Sequence, residues 1–161
     1  MSDSKNKGRL LELHFFQKVS QLSFITNILT EIDLTRKFGY AAASVDFLLE
    51  LDHGVIMVQT KYRNTRRREN ISISKFLNSV EYISKQIEKP VLFGVWVSRL
   101  EPFDDNKEWL SQHKIVTISQ FHSSTDQLSS SAIACIHDII TEILKPITPE
   151  EYHESSVQMV V

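Results

Sequence analysis

The chain has 161 residues, a net charge of −2 and a hydrophobic content of 42%. That length suits a single domain, the apolar share is enough for a buried core, and the overall charge excludes a uniformly basic nucleic-acid binder. No run of about 18 apolar residues occurs, so no membrane span is expected. The single cysteine, Cys135, leaves no partner for an internal disulfide and predicts a reducing, cytoplasmic setting.

The first residues, 1–8, are polar, carry no signal-peptide core and read as disordered. One domain is expected over 9–145, followed by a tail at 146–161. Arg9 to Leu22 predicts a helix, with Leu11, Phe15, Val19 and Leu22 spaced at three and four. Ser23 to Lys37 predicts a second helical stretch on Ile25, Ile28, Leu29 and Ile32, stopped by Gly39. Two apolar runs follow, Ser44 to Leu51 and Val55 to Lys61. Between them Asp52-His53-Gly54 is turn chemistry, with Gly54 free to adopt positive φ, so the pair reads as a hairpin.

Tyr62 to Asn70 reads as a polar loop with Arg63, Arg66, Arg67 and Arg68 beside Lys61, a local surplus of positive charge. Ser72 to Glu88 predicts a helix capped by Asn70 or Ser72 and ended by Pro90. Val91 to Ser98 is almost continuously apolar, as in a strand covered on both faces. A short helix around Trp109, a strand over 114–120 and a helix over 128–144 complete the domain, with Cys135 expected in its core. Val157 to Val161 in the tail is apolar enough to pack on a partner. The element order predicts an α/β sandwich around a mixed sheet.

Along a strand, side chains alternate, so Gln59 and Lys61 share a face and Asp46 can meet them from the partner strand. An Asp on one strand followed by Gln-x-Lys on the next resembles the PD-(D/E)XK superfamily of restriction-endonuclease-like nucleases. The Gln in place of Glu is similar to the branch that includes the Mrr-like enzymes and small endonuclease-like domains. The resemblance spans roughly residues 9–118 and implies an α-β-β-β-α-β core. The family carries a strand before the one bearing the Asp, and only Tyr40 to Val45 is available for it here, so that strand is expected to be short, merged or missing.

The resemblance also implies a site. Asp46 is the main ligand of Mg²⁺ or Mn²⁺, a hard cation that takes oxygen donors and keeps several waters. Gln59 offers a neutral amide oxygen, and Lys61 orients the attacking water and stabilises charge on the phosphate. Glu12 supplies a second carboxylate from the first helix, with Glu31 and Glu50 as substitutes. Arg63, Arg66, Arg67 and Arg68 grip phosphates beside the site. The expected function is a metal-dependent endonuclease acting on DNA, more than RNA, as a small catalytic core that works on particular nucleic-acid structures or as a homodimer. Two alternatives stand beside it: a catalytically inactive module of the same fold that binds nucleic acid or a protein partner, and a defence effector that cuts RNA. The histidines show no metal-binding spacing, and the glycines form no phosphate-cradling loop.

Overall fold

A computed structural model describes residues 3–121 and 123–145. Its elements run α1 (Asp3–Val19), β1 (Asn27–Thr30), α2 (Glu31–Phe38), a 3-10 turn (Tyr40–Ala42), β2 (Phe47–Leu51), β3 (Gly54–Lys61), α3 (Asn70–Ser84), β4 (Val91–Ser98), α4 (Asp104–Gln112), β5 (Ile115–Ser119) and α5 (Thr125–Ile143). The fold is α/β. One five-stranded mixed sheet has its strands in chain order, β1-β2-β3-β4-β5. The first three strands are antiparallel meander neighbours, and β4 and β5 join in parallel through helical crossovers.

Two apolar layers enclose the sheet. On one face α1 and α5 supply Leu11, Phe15, Val19, Leu128, Ala132, Ile136 and Ile140 against Phe47, Leu49, Ile56, Val58, Val95 and Val97. On the other, α2, α3 and α4 supply Leu34, Ile73, Phe76, Ile83 and Leu110 against Leu48, Met57, Trp96 and Ile115. The continuous apolar run of β3 and β4 is therefore explained: successive residues feed opposite cores.

Several expectations are corrected. The stretch read as one helix over 23–37 is a strand and then a helix. Ile28 and Leu29 face opposite cores, the mark of a strand, although Ile25, Ile28, Leu29 and Ile32 also fit a helical stripe. Pairing with β2 decides the conflict. Thr30 then starts α2 through a capping box with Asp33. The strand missing from the sequence reading is thus β1, and Tyr40–Ala42 is a 3-10 turn. α1 starts at Asp3, so most of the stretch read as disordered is helical. Neither Asn70 nor Ser72 caps α3; its N-cap is Glu69, whose side chain makes no capping bond. Cys135 is half-buried rather than in the core. The tail at 146–161, with Val157 to Val161, lies outside the described residues.

Gly54 is also required for a different reason than the one read from its turn. Among the described residues the one glycine with positive φ is Gly39. A Cβ on Gly54 would instead lie 2.6 Å from the Pro90 carbonyl oxygen and 2.7 Å from Leu92 Cγ. Because one of these contacts is main chain, Gly54→Ala is expected to cost about 1–3 kcal/mol, readable as a lower denaturation midpoint at unchanged m-value.

Candidate active site

The site lies at the end of the sheet where β2 begins and β3 ends. Register fixes who meets there. Thr30 pairs with Phe47 and Phe47 with Val58, so Glu31, Asp46 and Gln59 come next along three adjacent strands. Lys61 pairs with Ser98 on the fourth.

Asp46 stands where β2 and β3 part. Its main-chain N–H donates to the Val58 carbonyl at 2.9 Å. Its carboxylate then replaces a ladder carbonyl: Oδ2 accepts from the Thr60 N–H at 2.7 Å and from Thr60 Oγ1 at 2.9 Å. No hydrogen bond to Oδ1 is made by the described residues. Burial pushes the Asp46 carboxyl up to about 6, against the two Thr60 hydrogen bonds and the Lys61 charge, with Glu31 adding to the rise.

Glu12 on α1 feels the same cluster. Burial first, then the charges of Asp46 and Glu31, raise its carboxyl to about 7, while Lys61 and Arg9 oppose the rise. Lys61 is drawn below the ordinary amine value by burial and by Arg63, with Asp46 and Glu69 pulling the other way. Glu12, Glu31, Asp46 and Lys61 therefore share one electrostatic neighbourhood, which joins α1, the β1–α2 junction and the two central strands.

Gln59 is turned to structure. Its Nε2 donates to the Ser44 carbonyl at 2.7 Å, and its Oε1 accepts from the Thr60 N–H at 3.2 Å. Ser79 of α3 braces the same turn, donating to the Ala41 carbonyl at 2.6 Å. Glu50 does not reach the site: it lies at the far end of β2, opposite Asn27 and Val55, and pairs with Lys89 at 3.0 Å.

The basic loop is less open than its sequence implies. Arg63 makes a two-pronged bond to buried Glu69, at 3.0 and 3.1 Å. Arg66 donates to the carbonyls of Glu101 and Pro102 and lies over the Phe103 ring. Arg68 pairs with Asp105. Arg67, with its side chain 57% exposed, lies 3.6 Å from Glu69, a looser ion pair than that of Arg63 with the same carboxylate. The loop is thereby fastened to the β4–α4 connection, and Asn106 adds to the fastening by accepting the Glu69 N–H at 2.9 Å.

Nothing in the sequence singles out Thr60, Glu69 or Asn106. Thr60 occupies the unspecified position of Gln-x-Lys, and the alternation that places Gln59 and Lys61 on one face hides its contact with Asp46. Glu69 carries the charge that makes the arginine run a folded loop. Glu69→Gln leaves Arg63 without its buried counterion. Discounting for the exposure of the two arginines, the expected cost is roughly 2 kcal/mol in a chemical denaturation curve.

Among the described residues, no group of three His, Cys, Asp or Glu is placed to hold a metal ion, and no helix is long and apolar enough to cross a membrane. Carboxylate oxygens are the donor type that a hard divalent cation takes, its shell being completed by water and phosphate oxygens. Burial raises both carboxyls above their ordinary values, with the Asp46 and Glu31 charges adding to the rise of Glu12 and the Glu31 charge to that of Asp46. Compared with profiles of known protein families, with curated proteins and with solved structures, the chain matches none.

Proposed function

We propose that the protein is a divalent-metal-dependent nuclease that hydrolyses phosphodiester bonds in DNA, with a site similar to those of the PD-(D/E)XK superfamily. The observation that carries this reading is the placement of Asp46. Its carboxylate is fixed by Thr60 where two strands part, one oxygen is left for a ligand, Glu12 stands in its field, and Lys61 follows Thr60 directly.

Asp46 Oδ1 and the Glu12 carboxylate are the oxygens that would hold Mg²⁺ or Mn²⁺. Such an ion supplies a more acidic bound water and neutralises charge on the phosphate. The chain's own residues do the rest. Thr60 fixes the Asp46 carboxylate. Lys61 offers an ammonium to the non-bridging phosphate oxygens and to the attacking water. Arg67, exposed and only loosely paired with Glu69, would hold an adjacent phosphate. In the reaction, the water oxygen forms a new bond to phosphorus and the opposite bond to the sugar oxygen breaks. The water sheds a proton to solvent and the leaving oxygen takes one up.

A second reading, a nuclease-fold module without catalysis, is favoured by Gln59. Its amide is committed to Ser44 and Thr60 and brings no negative charge. The two readings separate in one assay. Supercoiled plasmid, linear duplex, single-stranded DNA and RNA are incubated with Mg²⁺, Mn²⁺ or EDTA. The nuclease reading predicts metal-dependent cutting of DNA by the wild type, lost in Lys61→Ala. Binding without cutting, weakened by salt and by Arg67→Ala, selects the inactive module.

A further inference from the structure

We propose that the surface beside Lys61 takes an unpaired strand, its bases stacking on a platform built from Phe121, Arg99 and Tyr62, so that the preferred substrate is single-stranded DNA or duplex with an unpaired segment. This rests on the phosphodiesterase reading above. The platform follows from the parallel half of the sheet. Lys61 pairs with Ser98 and Ser98 with Ser119, so the chain leaves β3, β4 and β5 at one edge. Tyr62, Arg99 and Phe121 lie just beyond these three ends.

Arg99 joins them. Its main-chain N–H donates to the Lys61 carbonyl at 3.2 Å, and its Nη1 donates to the Arg63 carbonyl at 3.0 Å. With its backbone and side chain both anchored, the guanidinium lies 5.6 Å from the centre of the Tyr62 ring and 5.2 Å from that of Phe121. Lys7 of α1 lies 5.8 Å from the Tyr62 ring centre. Phe121 is 58% exposed.

A single exposed aromatic ring on a protein surface calls for no explanation. This one is coupled through a fixed guanidinium to a second ring, and that ring belongs to the residue after Lys61. Aromatic faces alternating with cations are the surface that single strands use: rings stack on bases, cations hold phosphates, and neither reads sequence. Within a closed duplex the base faces are covered by their neighbours, so the platform gains nothing from it. An unpaired strand stacked there would bring its next phosphate toward Lys61.

The test is fluorescence anisotropy in EDTA with one labelled strand, alone, in a blunt duplex, and in a duplex with an unpaired tail. The single strand and the tailed duplex are expected to bind at least about tenfold tighter than the blunt duplex, and Phe121→Ala to lower single-strand affinity by about fivefold or more, with Phe121→Trp restoring it. Equal affinity for all three forms, or single-strand affinity unchanged in Phe121→Ala, overturns the platform while leaving the nuclease reading intact. Binding of none of them, together with no cutting in Mg²⁺ or Mn²⁺, removes both.

Discussion

Asp46→Asn is expected to lower metal-dependent DNA cleavage by at least about a hundredfold, the range seen when one charge-stabilising group is removed from a polar active site. The substitution is nearly isosteric. Its amide oxygen can still accept from Thr60, so the separation of β2 and β3 survives, while the ligand charge is gone. The effect should therefore fall on turnover and cation affinity, with thermal stability in EDTA kept or raised. Asp46→Ala is a poorer probe, because it leaves the Thr60 N–H and hydroxyl without their acceptor. If Asp46→Asn cleaves as fast as the wild type, Asp46 is a structural acceptor and the proposed site is wrong.

The second large effect is on pH. Glu12 and Asp46 are raised to about 7 and about 6, and both must lose a proton to hold a divalent cation. At subsaturating metal, cleavage is expected to rise roughly a hundredfold or more from pH 5 to pH 8, in two overlapping steps that belong to the pair. Saturating metal should shift the profile to lower pH, since the cation competes with the protons. Stability has the opposite sign. The folded protein holds protons that the unfolded chain has released, so without metal these two groups make it less stable as pH rises from about 4 to about 7. Glu12→Gln removes one buried charge. It should leave stability near pH 5 unchanged and raise it near pH 8 by about 1 kcal/mol, after discounting for solvent at this half-buried carboxyl. The same variant should lose part of the thermal stabilisation by Mg²⁺, which a scan with and without the cation measures.

What was legible in the sequence follows from periodicity. The bounds of β4 are legible because an almost continuously apolar run of eight residues between Pro90 and a polar loop leaves few alternatives. The hairpin of β2 and β3 was read from two apolar runs and a turn. The register does not follow from it: Gly54 pairs with Leu51 instead of lying in the turn, and this one-residue difference sets Asp46 opposite Gln59 instead of Thr60. β1 was hidden because four residues are too few to declare a period, and their apolar positions also suit a helix. Only β2, distant in sequence, decides between them. The arginines illustrate a different limit. Their charge was visible, but their partners Glu69, Asp105 and the carbonyls of Glu101 and Pro102 lie on other segments or at the loop's end. Glu12 follows from helix position alone, and the charges of Asp46 and Glu31 that act on it come from segments distant in sequence.

The most direct measurement is cleavage of a defined single-stranded DNA in oxygen-18 water with Mg²⁺ or Mn²⁺, followed by mass spectrometry of the new ends. The account predicts one heavy oxygen in each newly formed terminal phosphate, with no product in EDTA. Products without the label, or no products in metal from folded protein, would contradict it.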